Sequence, residues 1–371
     1  MAGLLRKAVV EAPRIVGAAR RYRIGPVAAA KRYWHLYKDR RFSPSEIHFL
    51  RLLDPAVALT TVVSKEELLV VQRRLNPAAL HALTEDKLAF HRHCTDARLP
   101  VAHIFALHDA SSAGVEHFKV LRNVQDWTQL LEDPPAPTFI LKPVDGVHGE
   151  GVVRFSRTAG GWKNHAGMAV TAHDVVTHIA AWNYRRWIVQ ALIVGHSALR
   201  TLSGTSGLQT VRVVTLTEDN GDVTIVAARL RLITGDSAHD NFDYGRTGNL
   251  IANLDVATGV IRTVIGGAGD PCAICQVTAH PRTGVPLIGY RVPGWPQARD
   301  LVQRAARAFA PLRTIGWDVA ITDDAPCLIE GNVTWDTLTG EPRMGEIYRH
   351  MAARAKMGNR EASDASDVRR Q

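Results

Sequence analysis

The stretch Gly316-Trp317-Asp318-Val-Ala-Ile-Thr, Asp323-Asp324-Ala-Pro326, Cys-Leu-Ile-Glu330-Gly-Asn332 constrains this chain more than any other. Two β-prone runs flank a turn-forming segment, which predicts an antiparallel hairpin. Side chains alternate along a strand, so Glu330 and Asn332 share a face, and pairing brings Asp318 beside them. Two carboxylates and an amide oxygen form a hard ligand set. Mg²⁺ takes such ligands when phosphates and water complete its shell. A solvated hairpin with unrelated acids is the other reading of this segment alone.

A second segment narrows the choice. Thr138-Phe-Ile-Leu-Lys142-Pro-Val-Asp145-Gly146-Val-His-Gly149-Glu-Gly151 is a strand that ends at a lysine and enters a glycine-rich loop. Such a loop lets successive backbone N–H groups turn toward an anion. No helix follows and the lysine precedes the loop, so it is neither the dinucleotide fingerprint nor the P-loop. A glycine-rich loop alone is also what a hairpin tip looks like. Lysine, lid and a downstream Asp/Glu/Asn set, in that order, is a more specific combination.

That order, Lys87, Lys142, glycine loop, Asp318, Glu330, Asn332, resembles the ATP-grasp superfamily. Asp86-Lys87-Leu-Ala-Phe and the following Ala-Arg-Leu-Pro100-Val-Ala-His resemble the segment that opens its nucleotide-binding core, as in ribosomal-protein glutamate ligases and D-alanine–D-alanine ligases. The sugar-transfer-associated group is closer still. Its phrases recur as Val-Gln190-Ala-Leu-Ile-Val-Gly-His196, Thr-Val-Arg212-Val-Val-Thr, Asp240-Asn241-Phe-Asp-Tyr-Gly and Ile-Gly-Trp-Asp318.

The resemblance implies an α+β fold with two lobes closing on ATP. A basic helical segment (1–84) precedes the first lobe with its phosphate lid (85–190) and the second lobe with the metal site (191–350). Residues 351–371 are expected to be a disordered tail. Lys87 and Lys142 would meet ATP phosphates beneath a lid of Asp145, Gly146, Gly149 and Gly151. Asp318, Glu330 and Asn332 would hold Mg²⁺ or Mn²⁺. Backbone groups of Gln190, Ala191 and Leu192 would read the adenine edge, with His196 toward the ribose. Arg212, then Arg231, and Asn241 are the catalytic candidates, Arg212 pairing with the transferring phosphate or acyl phosphate. D-alanine ligases place an arginine two residues before the position of Asp318. Here Gly316 stands there, so that charge must come from Arg212 or Arg231.

The implied activity is ATP-dependent joining of a small-molecule carboxylate to an amine or other nucleophile, through an acyl phosphate and with release of ADP. Phosphoryl transfer to a hydroxyl and a nucleotide-binding role in polysaccharide assembly without turnover are the alternatives. Retention of both lysines and all three metal ligands argues against a dead site.

Charge is unevenly placed. The chain has 45 Lys/Arg and 36 Asp/Glu, of which 12 and 3 fall in residues 1–51, leaving 33 of each elsewhere. The net charge of +9 therefore belongs to the N-terminal segment. A basic stretch interleaved with aromatics suits an anionic membrane surface, an acidic partner, or a solvated helix packing its apolar side inward. No nucleic-acid-binding motif accompanies it. Four cysteines whose spacings do not suggest a disulfide framework fit a reducing cytoplasm. Neither a signal-peptide core nor an apolar run long enough to span a membrane is evident. The expectation is a cytoplasmic protein, peripheral at the inner membrane face if the basic segment meets lipid. A homodimer is compatible with this reading. Cys272-Ala-Ile-Cys275 with His280 lacks a fourth ligand and is not read as a zinc site.

Residues 43–85 read as helical, with Ser43-Pro44-Ser45-Glu46 as a cap. Strands are expected at 101–107, 138–142, 187–193 and on both sides of Asn220-Gly221. Helices are expected at 87–98, 125–132, 173–182 and 300–309.

Overall fold

The computed structural model describes residues 2–111, 118–146, 150–236, 239–269 and 273–355, with side chains from residue 11 onward. Gly149, Cys272 and the tail beyond residue 355 lie outside the described residues.

The basic segment begins with α1 (Ala2–Arg21) and α2 (Pro26–Trp34). Proline at the start of α2 suits the first turn, where its missing N–H costs nothing. Ile15, Ala19, Ala29, Tyr33 and Leu36 recur at helical spacing and are buried against Phe42, Ile47 and Leu52. Next come α3 (Pro44–Phe49) and α4 (Lys65–Leu75), each opened by a capping box, Ser43 with Glu46 and Ser64 with Glu67. The chain between α3 and α4 is not helical as expected. It forms turns, and two arginines satisfy its carbonyls. Arg32 donates to Leu52 O, Asp54 O and Val57 O, and Arg40 to Leu59 O and Val62 O. Side-chain donors here replace the helical ladder.

After α5 (Ala82–Glu85) and α6 (Lys87–Asp96) the chain builds a first sheet. Its strands are β1 (Ile104–Asp109), β2 (Lys119–Leu121), β3 (Thr138–Pro143), β4 (Val153–Thr158), β5 (Gly161–Asn164), β6 (Ala169–Val170) and β7 (Arg186–Ala191), in the order β2-β1-β7-β3-β4-β5-β6. Helices α7 (Val124–Glu132) and α8 (Ala172–Ala180) cover one face, where Trp127, Phe139, Trp162 and Trp187 are buried.

A short helix, α9 (Ser197–Ser203), leads to the second sheet. Its strands are β8 (Thr210–Thr217), β9 (Val223–Leu232), β10 (Leu250–Leu254), β11 (Ile261–Ala268), β12 (Ala273–Gln276), β13 (Thr314–Ala320) and β14 (Cys327–Asn332), ordered β12-β11-β10-β9-β8-β13-β14. Strand alternation divides the work of its two faces. Val211, Val213 and Leu230 pack on α10 (Trp295–Ala308), whereas Val214, Leu216 and Ala227 pack on α4 and on the helix at 344–355. Residues 351–355 therefore belong to the fold and not to a tail: Met351 and Ala355 are buried.

Helix α6 serves both lobes. Leu88 packs with Ile104 and Ile188 of the first sheet, while Phe90 and Cys94 enter the core of the second. The lobes also meet where Leu328 N donates to Pro100 O over 2.9 Å.

Candidate functional site

Beyond its apolar end, the face of the second sheet that holds Val214 becomes polar. Cross-strand register sets Asn253, Arg229, Arg212, Asp318 and Glu330 opposite one another across β10, β9, β8, β13 and β14. A single row of five side chains thus crosses the sheet. Arg229, buried, donates to Thr337 O at 3.1 Å and Thr339 O at 3.2 Å. Burial and the neighbouring Arg212 and Arg231 push its guanidinium down to about 9. Its task in this geometry is to hold the 337–339 segment.

Arg212 grips Asp318 with both Nε and Nη2, the latter at 3.0 Å from Oδ2. Arg231 Nη1 donates to the same Oδ2 over 3.1 Å and lies 3.6 Å from Asp240 Oδ1. Burial disfavours the charge on Asp318, but these two cations outweigh it and hold the carboxyl well below the usual range. Nε and Nη2 of Arg212, the residue expected to pair with the transferring phosphate, are both turned to Asp318 in this structure. Asp240, which the sequence placed only inside a quoted phrase, accepts from Thr210 N and Oγ1 at 2.8 and 2.6 Å. It closes the cluster behind Arg231.

The structure also shows why glycine stands at 316. A Cβ there would come within 2.8 Å of the Trp335 Cβ and 3.3 Å of the Arg212 Cδ. The stem of Arg212, reaching over from β8, occupies the space that an arginine on β13 would need.

Glu330 stands opposite Asp318 in the β13–β14 register, and burial together with that neighbouring charge raises its pKa. Asn332 Nδ2 donates to Glu330 Oε1 and Gly316 O, both at 3.3 Å. This commits its N–H groups and leaves Oδ1 as a neutral oxygen ligand. Two carboxylates opposite one another, one buried and one half-buried, repel unless a proton or cation lies between them. The donor set, all oxygen with neither thiol nor imidazole, fits a hard divalent ion such as Mg²⁺ or Mn²⁺. Asp318, Glu330 and Asn332 are the residues that would hold it.

The first lobe faces this pair with its lysines. Lys87 begins α6, whose Asp86 cap accepts from Leu88 N and Ala89 N and also from Arg186 Nη2 at 2.7 Å. Its Nζ donates to Gly146 O at 2.7 Å and Val144 O at 3.3 Å, at the start of the lid. Burial lowers its pKa against the pull of Glu330, Asp145 and Asp86. Burial and Lys87 bring Lys142 down to about 8, with Glu330 opposing them. Lys87, Lys142 and Glu330 thus share one electrostatic environment although they come from different lobes. Asp145 is exposed beside Lys87. Gly151 adopts φ +70 with Trp187 packed 2.7 Å from where a Cβ would stand, so the lid's far end requires glycine.

The hinge differs from expectation. Gln190 is buried and its Nε2 donates to Ala102 O, while Ala191 N is bonded to His103 O at 2.9 Å. Strand β7 is paired on both flanks up to Ala191, so backbone groups for a ligand begin at Leu192. His196 faces away from its expected ribose role through one ring nitrogen. Its Nδ1 caps α9 by accepting from Ala198 N at 3.1 Å and lies 3.4 Å from Asp323, which leaves a ribose contact without support. Asn241 is exposed, and its carbonyl accepts from Thr247 Oγ1 and Asn249 Nδ2. The loop it opens continues through Asp243 at φ +38 and Tyr244 at φ +50, with Phe49 of α3 stacked edge-on against Phe242 and Tyr244.

No curated protein matches the chain. Among solved structures it is similar to the biotin carboxylase of Campylobacter jejuni, at 13% identity and a TM-score of 0.45, over 76% of this chain and 48% of that one. It is also similar to an L-amino acid ligase from Bacillus licheniformis, at 13% identity and 0.33, over 71% and 42%. A D-cycloserine synthetase matches at 14% and 0.39, over 80% and 87%. The chain thus spans under half the length of the first two. The family model described as sugar-transfer associated ATP-grasp matches residues 70–346, three-quarters of the chain. The protein belongs to the sugar-transfer associated ATP-grasp family.

Proposed function

We propose that the protein is an ATP-dependent ligase that activates a carboxylate as an acyl phosphate and transfers the acyl group to an amine or other nucleophile. The observation that supports this best is the facing of two lysines of depressed basicity and a carboxylate pair across the lobe boundary. Phosphates of a nucleotide fit between them: Lys87 and Lys142 offset charge on one side, and a divalent ion held by Asp318, Glu330 and Asn332 on the other. That ion would supply Lewis-acid neutralisation of the phosphate oxygens. Arg212 orients Asp318, and Arg231 bridges Asp318 and Asp240. The acceptor is proposed to belong to cell-surface polysaccharide or peptide-conjugate assembly, in keeping with the family's description.

Turnover of ATP with Mg²⁺ and a pooled library of acids and amines tests the reaction. ADP with free phosphate, appearing only when acid and amine are both present, is the expected result. ADP with a phosphorylated small molecule and no free phosphate would assign phosphoryl transfer to a hydroxyl instead.

Lys142 adds a pH signature. A lysine depressed from about 10.4 to about 8 opposes folding as pH falls through that interval, and the penalty is complete below it. Bound phosphates would raise the pKa again. ATP binding is therefore expected to take up a proton between about pH 8 and 10 and none at pH 6. Calorimetry in two buffers of different ionisation enthalpy reads this directly, and no proton uptake at pH 9 would remove Lys142 from the phosphate site.

A further inference from the structure

We propose that α1 and α2 form a docking surface for an anionic lipid bilayer. Composition alone allows a basic segment to hide its charge in ion pairs, but here the acids are what the fold hides. Glu11 and Glu46 are 5% and 3% exposed. Glu11 accepts from Arg14 at 2.9 Å and faces His48 Nε2 at 2.6 Å, while Glu46 closes the cap of α3. Asp39 is the one exposed acid among the described side chains of residues 11–51. Against it stand Arg20, Arg21, Arg23, Lys31, Lys38 and Arg41, all exposed. Burial has sorted the segment by sign, leaving a surface that is nearly all cationic.

The same surface is also apolar where a polar contact would suffice for solubility. Val27, at the head of α2, is 69% exposed and Val16 is 40% exposed. Val16 borders a cavity of about 230 Å³ between the two helices, lined further by Ile15, Pro26, Tyr33, Trp34 and Tyr37. Cations beside exposed valines and an aromatic-lined groove match the headgroup and acyl layers of a bilayer interface. A nucleic-acid backbone would use the charge and not the apolar groove. A second copy would set two cationic faces together. Among the described residues, no helix is long and apolar enough to cross a membrane, so the contact would be peripheral.

The test is sedimentation of the full chain with vesicles of pure phosphatidylcholine and of phosphatidylcholine mixed with phosphatidylglycerol. Binding is expected to the mixed vesicles only and to fade as salt rises. Each arginine near an anionic surface contributes about fivefold to partitioning, so the triple variant Arg20→Gln, Arg21→Gln, Arg23→Gln should lose about a hundredfold. Val16→Asn with Val27→Asn leaves the charge unchanged and should lose about tenfold. All five changes lie on exposed positions, and an unaltered circular dichroism spectrum confirms the fold. Equal binding to neutral vesicles, no binding to mixed vesicles, or an indifferent valine pair would overturn the proposal. So would capture of a DNA duplex in place of vesicles, which would reassign the surface to nucleic acid.

Discussion

Glu330→Gln is expected to reduce Mg²⁺-dependent ATP turnover about a thousandfold, equivalent to roughly 4 kcal/mol of lost transition-state stabilisation. The fold should not suffer. Glu330 is half-buried beside Asp318 and its pKa is raised, so the folded state disfavours its charged form. Such a group opposes folding at neutral pH, and the opposition fades as pH falls toward the unfolded value. An uncharged isostere removes that opposition. The variant's melting temperature at pH 7 should therefore equal or exceed the parent's, while its Mg²⁺ dependence disappears. Full activity in Glu330→Gln would refute the metal assignment.

Arg212→Met should act in the opposite sense on stability, lowering it by about 3 kcal/mol at pH 7, because it strips a bidentate partner from a buried carboxylate. Arg231 remains on Asp318, which keeps the loss at the lower end of what broken buried pairs cost. The pH dependence follows from the depressed pKa of Asp318. Its ionic stabilisation is present above the unfolded carboxylate value near 4 and is lost as pH falls through the folded one. The deficit of the variant should accordingly shrink in acid. Denaturant midpoints for Arg212→Met, Asp318→Asn and the double variant give the coupling. If the double variant is no more stable than Arg212→Met, the pair is not what Arg212 is there for. Arg212→Lys should fall between, since lysine keeps the charge but not the two-pronged geometry.

The residues legible in the sequence were those whose neighbours follow from local periodicity. Alternation along a predicted hairpin is enough to put Glu330, Asn332 and Asp318 on one face, and the register Asp318 opposite Glu330 is what the structure has. Lys87 and Lys142 were readable as a pair only through the family resemblance, because nothing local joins positions so far apart. What local reasoning could not reach was partnership across non-adjacent segments. Arg212 sits opposite Asp318 because β8 and β13, about a hundred residues apart, lie side by side. That pairing makes Arg212 a clamp on Asp318, and its stem, with Trp335, crowds the space beside Gly316. The cap that His196 provides at the start of α9 was equally out of reach of local reasoning. The stretch from 50 to 64 fell inside a span read as helical from its cap at Ser43, but Arg32 and Arg40 supply the donors that satisfy an irregular path.

One contact changes how the boundaries of this protein should be drawn. Phe49 belongs to the helical segment upstream of the family's matched region, yet its ring is the wall against which Phe242 and Tyr244 rest. Two successive non-glycine residues with left-handed backbone are held only where their surroundings over-determine them, and Phe49 is part of those surroundings. A chain trimmed to residues 70–346 would keep every motif and still lose the ring against which this loop rests. The folded unit, in the sense that matters for shape, begins before the region by which its family is recognised.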